Sequence, residues 1–510
     1  MKGDAGHLER EAKLGVWPGF RLPDLDGVLE GIEASPAPDQ RLDALYFDTP
    51  DLRLARSGIT FRHRSPEGWT LKLPQDDGDA DVLARRELTV AGDERAVPAE
   101  LASLVTAWVR TSSLAPVARL HTLRRRVLLT DGDGAVVGEV ADDEVSVLHG
   151  RRLALRFREV EVELAAEAPE ELLGRVVTRL RAAGAGAVDP VPKLTRALGP
   201  KAFEPPELAE RHADVAGTAA SVIHQALRAS VRRLLDHDLA VRLGGVEGVH
   251  QARVATRRMR SDLRTFRPLL DEGWANGLRV ELGWLAGALG EVRDADVLLE
   301  RLRSAAARLR PVDTEAAGVV LTRLEAERTH ARRRLLQVLD APRYVQLLDQ
   351  LVDAVSGPST DGPSSRWLLP EADVPAVTVL PTLVQRPWKH LREAVQAAGP
   401  DAGDEQLHEV RIKAKRCRYA AEAAAPAVGK PARRLADAVA GVQEVLGDHH
   451  DAVVAEAWLR SAAQELDPAT ALVAGQLIAG ERAAAEQSRN AWPAAWRKAD
   501  EGKLRAWLTT

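Results

Sequence analysis

One basic pattern of side chains occurs twice in this chain. His250, Arg253, Arg257 and Arg260 fall at i, i+3, i+7 and i+10, and His408, Arg411, Lys415 and Arg418 repeat that spacing. Residues so spaced share one side of a helix, so each copy lays a stripe of cations along it. Arg258 and Arg416 add to the charge at matching places. A polyanion is the kind of ligand that two such stripes serve. The histidines donate to phosphate in either protonation state, and a neighbouring polyanion favours their imidazolium form.

A second set of charges alternates with period two. Glu9, Glu11 and Lys13 lie at i, i+2 and i+4, and so do Glu159, Glu161 and Glu163. Arg62 with Arg64, Arg85 with Glu87, and Arg124 with Arg126 repeat the alternation. Successive residues of a strand point to opposite faces, so each group shares one face. A solvated outer face accounts for any one of these strands. For the whole set, a closed barrel with a charged lumen accounts better. Arginine forks and lysine ammonium groups bind phosphate oxygens, and clustered carboxylates hold Mg²⁺ or Mn²⁺. A triphosphate or longer chain suits such a lumen, with the metal offsetting charge as water attacks phosphorus.

These side chains need two different frameworks to position them. Before about residue 200, short alternating runs separated by Gly and Asp clusters read as antiparallel strands. After it, long stretches rich in Ala, Leu, Arg and Glu read as helices. Gly199-Pro200-Lys201-Ala202-Phe203-Glu204-Pro205-Pro206 reads as a linker, and Ser356-Gly357-Pro358-Ser359-Thr360-Asp361-Gly362-Pro363 as a break between helical halves. Leu289-Gly290-Glu291-Val292-Arg293-Asp294-Ala295 returns as Leu446-Gly447-Asp448-His449-His450-Asp451-Ala452, at nearly the offset of the cationic stripes. Two matched segments at one offset indicate a duplicated unit, too long for a solenoid repeat. The expected fold is therefore α+β multidomain: a β barrel over 1–200, a linker over 201–216 and an all-α domain over 217–510. Its halves, about 217–355 and 378–510, form two bundles about a pseudo-twofold axis.

Composition narrows the function classes. The formal net charge of -5 conceals the local stripes and lacks the basic excess common in nucleic-acid binders. Few aromatics lie between the cations, which disfavours stacking of single-stranded bases. Cys417 is the single cysteine, which excludes an intramolecular disulfide and fits a reducing compartment. No stretch reads as a signal peptide or a bilayer span, so a cytoplasmic protein without membrane attachment is expected.

The first domain resembles the CYTH domain of the triphosphate tunnel metalloenzymes, whose hallmark is a Glu-x-Glu-x-Lys strand. It stands here as Glu9-Arg10-Glu11-Ala12-Lys13, followed by Tyr46-Phe47-Asp48-Thr49-Pro50, Arg62 and Arg64, Lys72, Arg85 with Glu87, Arg124 with Arg126, Glu139 then Asp142, the Glu159–Glu163 strand and Lys193-Leu194-Thr195-Arg196. The resemblance implies an eight-stranded antiparallel tunnel that binds triphosphate-containing compounds and, in many members, hydrolyses them with a divalent metal. By matching position Glu9, Glu11, Glu161 and Glu163 are metal ligands, with Glu159 beside them, and Glu9, Glu11 and Lys13 are catalytic. Lys13, Arg62, Arg64, Lys72, Arg85, Arg124, Arg126 and Lys193 grip phosphates. Glu139 and Asp142 join the metal candidates, although a strand places them on opposite faces.

The helical part resembles the CHAD (conserved histidine alpha-helical) domain, associated with inorganic polyphosphate. The matching residues are His250, Arg253, Arg257, Arg258 and Arg260, then His408, Arg411, Lys415, Arg416 and Arg418. Two four-helix bundles around a basic groove are implied. The expected function is Mg²⁺- or Mn²⁺-dependent hydrolysis of inorganic triphosphate or a related substrate in the tunnel, with polyphosphate held by the helices. The alternative is a non-catalytic scaffold that tethers the protein to polyphosphate granules. Cyclisation of ATP is disfavoured because nothing reads as a purine pocket. Asp294 and Asp451 are expected to cap helices or orient basic side chains, and Cys417 to pack as a small apolar residue.

Overall fold

The computed structural model describes residues 8–74, 83–149, 152–165, 167–189, 191–209, 217–356, 366–399 and 401–509. The chain divides into two compact units, Met1–Ala209 and Glu210–Thr510.

The first unit is a closed antiparallel barrel. Its strands are β1 (Leu8–Val16), β2 (Glu33–Asp48), β3 (Thr60–Arg64), β4 (Gly68–Pro74), β5 (Leu83–Val90), β6 (Ala115–Thr130), β7 (Val136–His149) and β8 (Arg152–Leu164). They pair around the ring in the order β1-β5-β4-β3-β2-β6-β7-β8, so β1 closes it between β5 and β8. Closure removes every unpaired sheet edge. Gly68 turns the β3–β4 hairpin at φ 96, where a Cβ would stand 2.6 Å from the Val90 carbonyl oxygen.

Alternation on β8 shows why the charged face points inward. Val160, Val162 and Leu164 pack outward with Val140 of β7 against Leu172, Leu173, Val176 and Leu180 of helix α4 (Leu172–Ala182). Each such side chain, taken from water, stabilises the fold by about 1.5–3 kcal/mol. That burial fixes the phase of the strand, and Glu159, Glu161 and Glu163 are left to face the lumen side. Short helices α1 (Arg53–Arg56), α2 (Ala99–Leu104) and α3 (Thr106–Val109) lie between strands, and α5 (Lys193–Leu198) follows the barrel. Asp48 fixes the turn into α1 by accepting from the backbone N–H groups of Thr49, Leu54 and Ala55 at 2.7, 2.9 and 2.9 Å. Residues 201–209, expected as linker, are held to this unit. Glu207 pairs with Arg110 at 2.6 Å, and Arg56 Nη2 donates to the Pro205 carbonyl at 2.6 Å.

The second unit is all helical: α6 (Ala219–Leu243), α7 (Val246–Thr265), α8 (Glu272–Ala306), α9 (Thr314–Leu339) and α10 (Pro342–Val355), then α11 (Ala376–Ala398), α12 (Asp404–Val428), α13 (Lys430–Ala463), α14 (Pro468–Ala499) and α15 (Gly502–Arg505). Side chains of Thr218, Asp271 and Asp467 cap the starts of α6, α8 and α14 by accepting backbone N–H bonds. Four long helices, α6–α9 and α11–α14, make up the core of each half. Helix α6 packs on α11, α7 on α12 and α9 on α14. These are contacts between equivalent helices, as a pseudo-twofold axis requires. Residues 357–363 of the expected break lie outside the described residues. Among the described residues no helix is long and apolar enough to cross a membrane.

Candidate functional site

The barrel encloses a cavity of about 140 Å³ lined by charged side chains from seven strands and by Lys193 of α5. Strand register organises them into rows. Across β1, β8 and β7, Glu11 pairs with Glu163 and Glu163 with Glu139, which sets three carboxylates side by side. One row along, Lys13 faces Glu161, and beyond it Glu159 faces Asp143. The remaining walls carry cations: Arg62 and Arg64 on β3, Lys72 on β4, and Arg124 on β6.

The two charge types are knitted together. Lys13 Nζ lies 3.3 Å from Glu11 and 3.2 Å from Glu161. Arg124 reaches Asp143 at 2.7 Å and Glu161 at 2.6 Å, and Lys193 reaches the same two at 2.5 and 2.7 Å. Lys72 pairs with Glu87 at 2.7 Å and Arg126 with Glu139 at 2.6 Å. Burial alone would raise the Glu161 carboxyl, but Lys193, Lys13 and Arg124 outweigh it and hold the group well below its ordinary value. Glu159 goes the other way, because burial dominates over Lys193 and raises it. Burial also opposes ionisation of Tyr46, yet Arg62, Lys193 and Arg64 prevail and lower its phenol. An anion entering here would meet donors that are charged and already positioned.

The expected residues are placed unequally. Glu11, Lys13, Arg62, Arg64, Lys72, Arg124, Glu161, Glu163 and Lys193 all line the cavity. Glu139 stands in the carboxylate row on the same side. Asp142 faces outward, bound by Arg158 through two hydrogen bonds of 2.7 and 2.6 Å. Its neighbour Asp143 is the residue that faces the lumen, and no sequence pattern singled it out. Glu159 is fully buried behind Lys193 Nζ, at 3.4 Å, and does not line the cavity. The backbones of Glu9 and Arg85 pair in register between β1 and β5. Their side chains lie outside the described residues.

Among the described residues no three Asp, Glu, His or Cys side chains converge on one metal-holding point. Lysines and arginines stand between the carboxylates instead. The donor chemistry nevertheless suits a hard divalent cation. Like charges directly opposite across strands repel, and Lys13 beside Glu11 and Arg126 beside Glu139 offset part of that cost in the Glu11, Glu163 and Glu139 row; a divalent cation on these oxygens would add to that offset.

The helical unit holds two basic cavities on either side of Arg257. One, of about 280 Å³, is lined by His250, Arg253, Arg257, Arg293, Asp294, Arg301, Arg411, Lys415, His450 and Asp451, among others. The second, of about 640 Å³, shares His250 and Arg257 and adds Arg233, Arg258, Arg418, Tyr419, Glu422 and Arg433. Arg257 donates to the Tyr419 hydroxyl, and Asp294 orients Arg253 at 3.0 Å. Burial and the nearby Arg257, Arg411 and Arg253 push the Lys415 ammonium down to about 7. His450 is pushed down to about 4 by burial, Arg411 and His408. His408 Nδ1 lies 3.1 Å from His450 Nδ1 and lines neither cavity, as is true of Arg260 and Arg416. Arg260 lies against Gly283 of α8 instead. Arg293, Arg301, His450 and Tyr419 are cavity residues that periodicity did not reveal. Cys417 is fully buried, and burial pushes its thiol up to about 12.

The chain matches the CYTH domain over residues 7–193 and the CHAD domain over residues 225–460. Two uncharacterized proteins of Mycobacterium tuberculosis, one from strain CDC 1551 / Oshkosh and one from strain ATCC 25618 / H37Rv, are each 34% identical over 541 residues, covering 98% of this chain and 98% of theirs. Among solved structures, PptA from Streptomyces chartreusis is 28% identical, with a TM-score of 0.45, and covers 55% of this chain and 100% of that one.

Proposed function

From the premise that the chain belongs to the family of proteins that join a CYTH domain to a CHAD domain, we propose that its barrel hydrolyses inorganic triphosphate or a related polyphosphate end. In the same reading the helical unit binds inorganic polyphosphate. The observation that carries the first part is the set of carboxylates Glu11, Glu161 and Glu163 facing cationic walls across one enclosed lumen. A lumen that only bound phosphate would gain little from stacked carboxylates.

Glu11, Glu161 and Glu163, with Glu9 by sequence, would hold Mg²⁺ or Mn²⁺. Such a cation supplies Lewis-acid stabilisation of charge on phosphoryl oxygens. The chain's own residues do the rest. Arg62, Arg64, Lys72 and Arg124 bind non-bridging oxygens and orient the chain along the lumen. Lys13 and Lys193, pinned between carboxylates, keep the acid and cation walls in register. Burial behind Lys193 makes Glu159 a positioning residue, since it touches Lys193 and Arg196 at 3.4 and 3.3 Å and no lumen space.

The test is phosphate release from tripolyphosphate and from long-chain polyphosphate, with Mg²⁺ or Mn²⁺, by the wild type and by Glu9→Gln/Glu11→Gln and Glu163→Gln. Metal-dependent release reduced about 100-fold or more in the variants supports the enzyme. Binding of both substrates without release by the wild type replaces it with the scaffold reading, tied to polyphosphate granules.

A further inference from the structure

We propose that Lys415 is a modification site, acylated by small acyl phosphates whose phosphate group is held by the surrounding arginines. For the phosphate grip alone, this rests on the reading of the cleft as phosphate-binding. The placement of Lys415 sets it apart from the other lysines. Lys13, Lys72, Lys193, Lys389, Lys413 and Lys503 each stand within ion-pair distance of a carboxylate. Among the described residues no carboxylate pairs with Lys415, although it is half-buried in the wall of the 280 Å³ cavity. Among the described residues Lys201, Lys430 and Lys498 also have no such partner, but all three are exposed.

Every element packed around Lys415 presents charge of mostly one sign. Helix α7 contributes Arg253, Arg257 and His250, and α8 contributes Arg293, Asp294 and Arg301. Arg411 lies one turn away on α12, and α13 contributes His450 and Asp451. Asp294 is engaged by Arg253, and the Asp451 charge acts on Arg411. An ammonium so surrounded sheds its proton near neutral pH, which leaves a free amine, a good nucleophile, inside an anion-binding cleft.

An acyl phosphate has the matching parts. Guanidinium forks bind the phosphate oxygens, while the adjacent carbonyl carbon is an activated electrophile. The lysine nitrogen forms a C–N bond to that carbon, the C–O bond to phosphate breaks, inorganic phosphate leaves with the bonding pair, and the amine proton passes to phosphate or solvent. No oxidant or other reactant is needed. The product amide is uncharged, so the reaction removes one cation from the cleft.

The experiment incubates the full chain with acetyl phosphate at pH 7.5 and maps acetyl-lysine by peptide mass spectrometry. Lys415 is expected to react about 10-fold or more faster than Lys430 and Lys498, with a second-order rate, read at acetyl phosphate well below saturation, that rises through a midpoint near 7, the value of the free cleft. Acetic anhydride, which has no phosphate, should show a smaller preference for Lys415, and added tripolyphosphate should slow the acetyl phosphate reaction there. A Lys415 rate no faster than that of Lys430 and Lys498 overturns the proposal. Equal preference with both reagents overturns the arginine grip. Polyphosphate affinity of the untreated chain is measured alongside. Its absence with selective Lys415 labelling would remove the binding role proposed for the cleft and leave this site standing.

Discussion

Polyphosphate binding to the full chain should weaken as pH rises from 7 to 9, and Lys415 should be the cause. Its ammonium sits at about 7 in the free cleft, against an ordinary 10.5, because burial and three arginines oppose the charge. A bound polyanion supplies the missing negative charge and returns the group toward the ordinary value. The sign follows from the direction of the shift. Above pH 7 the free protein carries a neutral amine and the complex an ammonium, so binding takes up a proton and loses affinity as protons become scarce. With these two values the dissociation constant rises, relative to its low-pH limit, about 10-fold by pH 8 and about 100-fold by pH 9, or about 1.4 kcal/mol for each tenfold step; counted from pH 7, where the amine is already half titrated, the rises are about 5-fold and about 50-fold. The nearby histidines do not blur this window. His250 and His408 are lowered by burial and neighbouring cations, and His450 lies near 4, so their proton uptake belongs below it. Calorimetry at pH 8 in two buffers of different ionisation enthalpy measures the uptake directly, with about one proton expected. Lys415→Arg keeps a charge that does not titrate, so its affinity should match wild type at pH 6 and stay nearly level to pH 9. A wild-type slope retained in Lys415→Arg, or a wild type indifferent to pH, would refute the reasoning.

Asp142→Asn should lower thermal stability by about 1–3 kcal/mol through loss of its paired hydrogen bonds to Arg158, while leaving phosphate release nearly intact. Asp143→Asn frees Lys193 and Arg124 and should cost about 10-fold or more in release; equal loss of activity in both variants would contradict the assigned faces. Arg253→Ala with Arg411→Ala should weaken polyphosphate binding and flatten its salt dependence, by analogy with counterion release from nucleic acids. Cys417 should resist iodoacetamide in the native chain at pH 8 and react on unfolding, as a fully buried thiol pushed up to about 12 does; native labelling would show that the α12 core opens.

The acid face of β8 was legible because a two-residue period is unambiguous once valines fill the alternate positions. The face of β7 was not. Glu139 and Asp142 are an odd number of residues apart, so one must point out, and only pairing with β8 decides which. Asp143 was hidden beside Asp142 for the same reason. On the helices, period gave the stripe but not its limit. Ten residues carry the chain through about 1000°, which leaves the last position about 80° from the first. Arg260 lies against α8 rather than in a cavity, whereas Arg418, at the same place in the second stripe, reaches one, so the drift alone does not decide. Arg293, Arg301 and His450 reach the cleft from α8 and α13, and such convergence depends on helix packing that no single-helix pattern encodes.

The closing strand pair gives the barrel a history as well as a shape. Glu11 stands on the first strand of the ring to be made and its row partner Glu163 on the last, with Lys193 following. Until β8 arrives, β1 has only one neighbour and the nascent sheet keeps an open border. The site therefore does not grow by degrees during synthesis. It comes into being at one late moment, when the ring shuts, and any chain shortened before Lys193 would carry nearly all the strands and none of the finished chemistry.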